Sequence, residues 1–311
     1  MAGDEHSNSP SAFGVGPRIS VVIAWVNDVK WLTPCLDALM NQTRAAPQEI
    51  IVATRLGETK RRHLSQQFPN VMVIDGGPRA TIPALRALAL ERATGDVVAV
   101  TEDHCVADSG WMAAIRRSIE RGAQVVGGPI ENACDQRRCD QAAFLTEYAG
   151  AIGPRTDGPV NGLPGNNVAY RREWVDGLRE TLADGRWESF YHDALRGRGV
   201  ELVYDSAMVM RHRRPFDFGY FCGQRFHFCR SFAQMRNQDM PVTIRLFYGV
   251  ASVLLPPLLW WRGLSTLRRK GRYVSRYLLL SPLIGIYLVA GAMGEMAGYL
   301  CGGGRSLERV E

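Results

Sequence analysis

No Cys-x-x-Cys pair occurs among Cys35, Cys105, Cys134, Cys139, Cys222, Cys229 and Cys301. That absence argues against a structural zinc knot. The odd count and irregular spacing fit free thiols in a reducing compartment better than a disulfide framework. The first 17 residues lack a long apolar core. Rich in Ser, Gly and Pro, they read as a disordered tail and not as a signal peptide, so the folded part is expected in the cytoplasm. A basic stripe interleaved with aromatics is also missing, and nucleic acid is not an expected partner.

The chain is nevertheless basic, with 37 Lys and Arg against 31 Asp and Glu and a formal net charge of +6. Much of the excess lies in Arg211–Arg236 and Arg262–Arg276, near the most apolar part of the sequence. That placement points to anionic lipid headgroups or phosphate-bearing substrates. At 311 residues there is room for one large domain or two smaller ones.

From Ile19 the sequence alternates strand-like and helix-like stretches. Ile19–Trp25, Ile50–Ala53, Val71–Ile74 and Val97–Val100 read as strands. Helical spacing appears from Trp31 to Met40 and from Ile82 to Ala93, the latter interrupted by Arg86 and by Glu91-Arg92. Repeated strand–helix–strand units imply an α/β fold, a mostly parallel sheet with helices on both faces. Pro129–Gly165 is rich in Gly, Pro, Asn and charge and reads as a long functional loop region. A helix is expected around Trp187–Arg198, a strand at Val200–Tyr204 and a helix at Phe218–Arg236.

Leu246–Trp261 and Tyr277–Gly294 are uncharged. Each is at or below the roughly 20 residues needed to cross a bilayer. Between them lie Arg262, Arg268, Arg269, Lys270, Arg272 and Arg276, with no acid. If the first run crossed, this basic loop would lie outside, against the positive-inside rule. The first run is therefore read as re-entrant or interfacial, whereas the second either spans or lies flat. The expected organisation is a tail over 1–17, an α/β domain over 18–240, membrane-associated helices over 241–301 and a tail over 302–311.

The strand at Val97–Val100 ends in Thr101-Glu102-Asp103-His104-Cys105. Ligands of open α/β sheets bind at carboxyl strand ends. On an extended chain, side chains two apart face the same way. Glu102 and His104 would then converge as a two-ligand metal site, with Asp103 turned away. Simple capping of a strand end is the competing explanation.

Taken together, residues 18–236 resemble family 2 glycosyltransferases of GT-A fold. Ile19–Ile23 is similar to the family's first strand, and Cys35-Leu36-Asp37-Ala38-Leu39 to Gln42-Thr43 to its "CL-SL-QT" helix. Ala93-Thr94-Gly95-Asp96 matches the lead-in to the metal motif, and Gly165-x-Asn167-x-Ala169-x-Arg171-Arg172 the later "GxNxAxRR" element. The family's DxD triplet falls on Glu102-Asp103-His104; a DxH form occurs in related GT-A enzymes. The resemblance implies a divalent metal held by Glu102 and His104, with Asp103 in support, against the donor diphosphate. The imidazole favours Mn²⁺ over Mg²⁺.

Counting back from Gly199, Trp187-Glu188 falls on the family's "ED" pair, which implies Glu188 as catalytic base. One base with no covalent partner implies direct displacement and inversion. His192, one helical turn on, is placed beside Glu188 or against the diphosphate or acceptor. Arg225 and Arg230, in a loose match to "QxxRW", are candidates for the diphosphate or a lipid-phosphate acceptor. Asn167 is assigned to the donor. The family's base-reading aspartate is missing at Ile51–Arg55; Asn27, Asp28 or Asp75 are the substitutes.

The resulting expectation is an inverting, metal-dependent transferase at the inner (plasma) membrane with its catalytic domain on the cytoplasmic side. Its partners are a nucleotide-sugar donor, a lipid-linked or polysaccharide acceptor and membrane lipids. Two rivals stand beside it. One is a non-catalytic membrane scaffold on this fold. The other is a sugar-phosphate nucleotidyltransferase, disfavoured because Trp25–Lys30 has no glycine to cradle a triphosphate.

Overall fold

The computed structural model describes residues 16–43, 46–238 and 240–311. All but the last two residues of the expected N-terminal tail fall outside that range.

The chain begins with β1 (Ile19–Trp25), α1 (Val29–Met40), β2 (Glu49–Thr54), α2 (Glu58–Gln67), β3 (Val71–Asp75), α3 (Ile82–Arg92) and β4 (Val97–Glu102). Every residue of β1 is buried. Its side chains alternate: Val21, Ile23 and Trp25 join one core, Val22 and Ala24 the other. This is a strand covered on both faces. Asp28 caps α1 by accepting from Lys30 N at 3.0 Å, and Thr81 caps α3 by accepting from Ala84 N at 3.3 Å.

There follow β5 (Cys105–Ala107), α4 (Trp111–Glu120), β6 (Val125–Gly127), β7 (Ile130–Asn132), α5 (Arg138–Tyr148), β8 (Gly158–Val160) and β9 (Val168–Arg171). The domain is completed by α6 (Val175–Ala183), α7 (Glu188–Gly197), β10 (Leu202–Tyr204), β11 (Met210–His212) and α8 (Phe218–Asn237). The main sheet has the order β3-β2-β1-β4-β9-β6-β10-β8. The first four strands in that order are parallel, and β9 runs antiparallel to β4 and β6. The reversal brings the start of β9 against the carboxyl end of β4, with Val168 opposite Val100. A small sheet, β5-β11-β7, pairs His212 with Cys105. These two registers assemble the site.

The expected loop region 129–165 contains β7, α5 and β8. Its polar composition conceals a helical face, since Ala142, Ala143, Phe144, Leu145 and Tyr148 are all buried. The C-terminal part is helical: α9 (Val242–Ala251), α10 (Leu255–Lys270), α11 (Val274–Leu279) and α12 (Ser281–Cys301). Pro256 and Pro282 stand in the first turns of α10 and α12, where a missing N–H costs nothing. α12 lies along α8 at glycine distance. A Cβ on Gly294 would meet Phe226 O at 2.2 Å, and one on Gly298 would meet Arg230 O at 2.4 Å. Residues 302–311, expected as a tail, fold back onto the domain.

Candidate active site

At the carboxyl end of β4 lies a cavity of about 610 Å³. Glu102, the last residue of β4, enters it from the sheet. Asp103 and His104 form a turn and are not extended, so the expected convergence of Glu102 and His104 arises by another geometry. His104 Nε2 lies 3.4 Å from Glu102 Oε2.

Asp103 explains the orientation of His104. Its fully buried carboxylate accepts from Val26 N, Asn27 N, Asn27 Nδ2 and His104 Nδ1 at 2.8–2.9 Å. Burial opposes its charge, but the hydrogen bond from His104, with the donors on Asn27 and Val26, holds its pKa below the usual range. Asp103, expected in support of the metal pair, has its oxygens committed to the turn. With the His104 proton on Nδ1, Nε2 offers a lone pair to the cavity. A lone pair and a carboxylate oxygen then face each other, an arrangement suited to a cation. The Cys105 thiol completes a set of ligand atoms within 4.8 Å of one another, though burial pushes its pKa well up and keeps it protonated. A carboxylate oxygen and an imidazole nitrogen fit a divalent ion. The His212 ring stands edge-on to His104 at 4.7 Å. Burial, with the charge of Arg214 in addition, lowers its pKa and holds it neutral.

The second half of the site is a buried ion bridge. Arg86, 1% exposed, donates through Nη1 to Glu188 Oε1 at 2.5 Å and through Nη2 to Glu102 Oε1 at 2.8 Å. Burial opposes the charge of Arg86, but Glu188 and then Glu102 outweigh it and raise its pKa. Glu188 opens α7, where the helix dipole favours a carboxylate. Its Oε2 faces Gly165, whose Cβ, if present, would lie 2.8 Å away. A glycine there lets the loop close over the carboxylate. Asn166 donates to Glu102 Oε2 at 3.1 Å and to the Tyr148 hydroxyl at 3.0 Å.

Sequence reasoning missed Arg86 and Asn166. The signal for Arg86 was its interruption of the apolar face of α3. Also unforeseen is Glu147, whose exposed side chain lines the cavity.

Several expected site residues stand elsewhere. Asn167 is fully buried: it accepts from Trp111 Nε1 at 2.8 Å and donates to Pro129 O and Met208 O. It braces the fold under the cavity, and its neighbour Asn166 faces in. His192 meets the Tyr170 hydroxyl at 2.6 Å in the core, and burial lowers its pKa to about 4. Arg230 donates to Gly302 O at 2.8 Å and clamps the returning chain. Asn27 supports Asp103, the exposed Asp28 caps α1, and Asp75 pairs with Arg61 at 2.8 Å. None of these six is among the cavity-lining residues. Arg225 is. No carboxylate lies within 4.0 Å of its guanidinium among the described residues, and its Nε has no hydrogen-bond partner.

At the position expected for a base-reading acid, Arg55 binds the returning chain. It donates to Glu308 O at 2.7 Å and Val310 O at 3.4 Å, and lies 3.8 Å from Glu311. Glu311 also takes Arg214 at 3.3 Å and the Tyr220 hydroxyl at 2.8 Å. Val310 and Glu311 form part of the cavity wall.

The model of the family described as glycosyl transferase family 2 matches residues 20–179, about half of the chain. The chain belongs to glycosyl transferase family 2. It is accordingly a glycosyltransferase, and its mostly parallel, helix-covered sheet is the GT-A fold. A mannosyltransferase from Pyrobaculum calidifontis, PcManGT, solved with GDP-Man and Mn²⁺, superposes with a TM-score of 0.54 at 16% identity. The match covers 90% of this chain and 87% of that one. GalNAc-T7, solved with UDP, GalNAc and Mn²⁺, gives a TM-score of 0.50 at 15% identity. It covers 65% of this chain but only 44% of GalNAc-T7. These likenesses concern the fold. No curated protein matches the sequence.

Proposed function

We propose that this family 2 glycosyltransferase is an inverting, divalent-metal-dependent enzyme. It moves a sugar from a nucleotide donor to a lipid-linked or polysaccharide acceptor at the cytoplasmic face of the inner membrane. The observation that carries the reading is the Glu102–Arg86–Glu188 bridge. It holds a metal-type carboxylate and a base-type carboxylate on opposite sides of one buried cation.

Arg86 occupies Oε1 of Glu188, leaving Oε2 as the oxygen that takes the acceptor hydroxyl's proton. As that proton moves, the acceptor oxygen bonds to the anomeric carbon and the bond to the diphosphate oxygen breaks. The electron pair leaves with the nucleoside diphosphate, so a single displacement inverts the anomeric centre. Arg225 supplies a guanidinium for phosphate oxygens. Glu102 and His104 would hold a divalent ion, which would supply charge neutralisation for the leaving diphosphate, with Mn²⁺ favoured over Mg²⁺ by the imidazole. Relatives solved with UDP or GDP-Man and Mn²⁺ support this choice of donor class and ion. The membrane location and a lipid-linked acceptor are supported by the two long apolar helices, Val242–Lys270 and Ser281–Cys301.

The test is donor hydrolysis and transfer across UDP-, GDP- and dTDP-sugars with Mn²⁺ or Mg²⁺, together with Glu188→Gln. One donor should be turned over with inversion, and Glu188→Gln should lower transfer by about 10²–10⁴-fold. Full turnover by Glu188→Gln removes Glu188 as the base. No binding of any donor favours the scaffold alternative.

A further inference from the structure

We infer that α9–α10 and α12 form a lipid-facing surface that lies in the plane of one leaflet, and that neither helix crosses the bilayer. This deepens the membrane location proposed above but does not depend on the chemistry of transfer.

The first observation is inverted amphipathicity. Along Val242–Lys270 the large apolar residues Val242, Leu246, Val250, Leu254, Leu258 and Trp261 recur every three or four positions, with Val253 beside them, on one broad helical face. In a soluble domain such a stripe faces the core. Here it faces out, with Val242 66%, Val250 67% and Val253 63% exposed. The residues turned inward in the first half of the helix are small, Gly249 and Ser252. α12 repeats the pattern on a smaller scale, with Ile286, Val289, Met293 and Leu300 exposed at helical spacing. Its opposite face is welded to α8 through Gly291, Gly294 and Gly298. α12 packs against α9 and α10, so the two outward stripes belong to one surface.

The second observation is where the ends lie. α9 follows directly on α8 of the catalytic domain. The far end of α10 also touches that domain: Lys270 Nζ donates to Gly150 O at 2.8 Å, and Arg272 pairs with Glu131 at 2.7 Å. A helix whose two ends both rest on one soluble domain cannot deliver one of them to the opposite side of a bilayer. The same holds for α12, which lies along α8 and leads into residues held by Arg230 and Arg55.

Charge selects the occupant. Arg262, Arg268, Arg269 and Arg276 are exposed beside this surface. The one acid between Val242 and Cys301, Glu295, is turned to Arg236 on α8 at 2.5 Å. An apolar stripe flanked by cations with no carboxylate partner among the described residues, with Trp260 and Trp261 at their junction, matches an anionic leaflet. It does not match a second copy of the same basic surface.

The experiment uses the full chain and vesicles of phosphatidylcholine with or without phosphatidylglycerol, with flotation as the readout. The parent should float with both and prefer the anionic vesicles. Leu254→Glu/Leu258→Glu should lower the bound fraction at least tenfold with an unchanged melting temperature. Arg268→Glu/Arg269→Glu should abolish the preference for phosphatidylglycerol. For topology, Ser275→Cys and Glu58→Cys are each labelled, above the parent's background, with an impermeant maleimide in a bacterial host. Both should label in inverted vesicles and neither in intact spheroplasts. Labelling of Ser275→Cys alone in spheroplasts shows that α10 crosses and overturns the inference. A parent that stays in solution as a dimer, made monomeric by Leu254→Glu/Leu258→Glu, overturns it in favour of a second copy. Because binding is read without turnover, either failure leaves the proposed transfer reaction untouched.

Discussion

Replacing Arg86 with methionine removes the cation from between two carboxylates while keeping most of the side-chain volume. Glu102 is partly open to the cavity and can turn toward water, but Glu188 is 2% exposed and cannot. Stranding one partner of a buried ion pair costs about 3–5 kcal/mol. The alternative is for the stranded carboxyl to take up a proton. Starting from the solution value for glutamate, about 4.3, neutralisation at pH 7 costs about 3.7 kcal/mol, so protonation is no cheaper. At pH 5 the same step costs only about 1 kcal/mol. In the variant the folded state would bind more protons than the unfolded state, so its stability should rise as pH falls. Urea unfolding of parent and Arg86→Met at pH 7 and pH 5 reads this directly. The deficit should be about 3–4 kcal/mol at pH 7 and shrink to about 1 kcal/mol at pH 5. A deficit below about 1 kcal/mol at pH 7, or one independent of pH, would refute the claim that Arg86 balances the charge of Glu188.

Asp103→Asn should weaken Mn²⁺ binding by about 10–100-fold, because the amide no longer fixes the His104 tautomer; calorimetric titration with the metal measures it. His192, held neutral with its pKa lowered to about 4, binds a proton more readily when unfolded. Its contribution is full above about pH 6.5 and is lost progressively as pH falls toward 4, amounting to roughly 3 kcal/mol. His192→Gln should flatten that acid limb in pH-dependent unfolding. Gly294→Val places atoms against the α8 backbone at Phe226 and should destabilise the chain by at least 1–3 kcal/mol, read as a lowered melting temperature. An unchanged melting temperature would mean that α12 does not pack on α8.

The β1 strand and the Glu188 helix were legible because local pattern determines them: Ile19–Trp25 is continuously apolar, and the helix expected at 187–198 is observed over 188–197. α5 was hidden because its turns are interleaved with charge and its apolar face is visible only once the core is known. The ion bridge was not legible, since Arg86 meets partners 16 and 102 residues away. Asn166 and Asn167 show the limit of a motif. They are adjacent and chemically identical, and only the register of β9 against β4 decides which enters the cavity. His192 is the same lesson on a helix: it is one turn from Glu188, yet Tyr170 and not the cavity receives it.

The returning chain after α12 gives the cavity an unusual construction. Gly302 is pinned by Arg230, and Glu308, Val310 and Glu311 are gathered by Arg55 and Arg214. The sheet-forming domain therefore does not enclose the cavity alone. Its last panel hangs from the end of α12, like a door from its post. Any tilt of that helix against α8 is transmitted through about ten residues to the wall facing Arg225, which makes the width of the cavity a mechanical property of the helix that carries it.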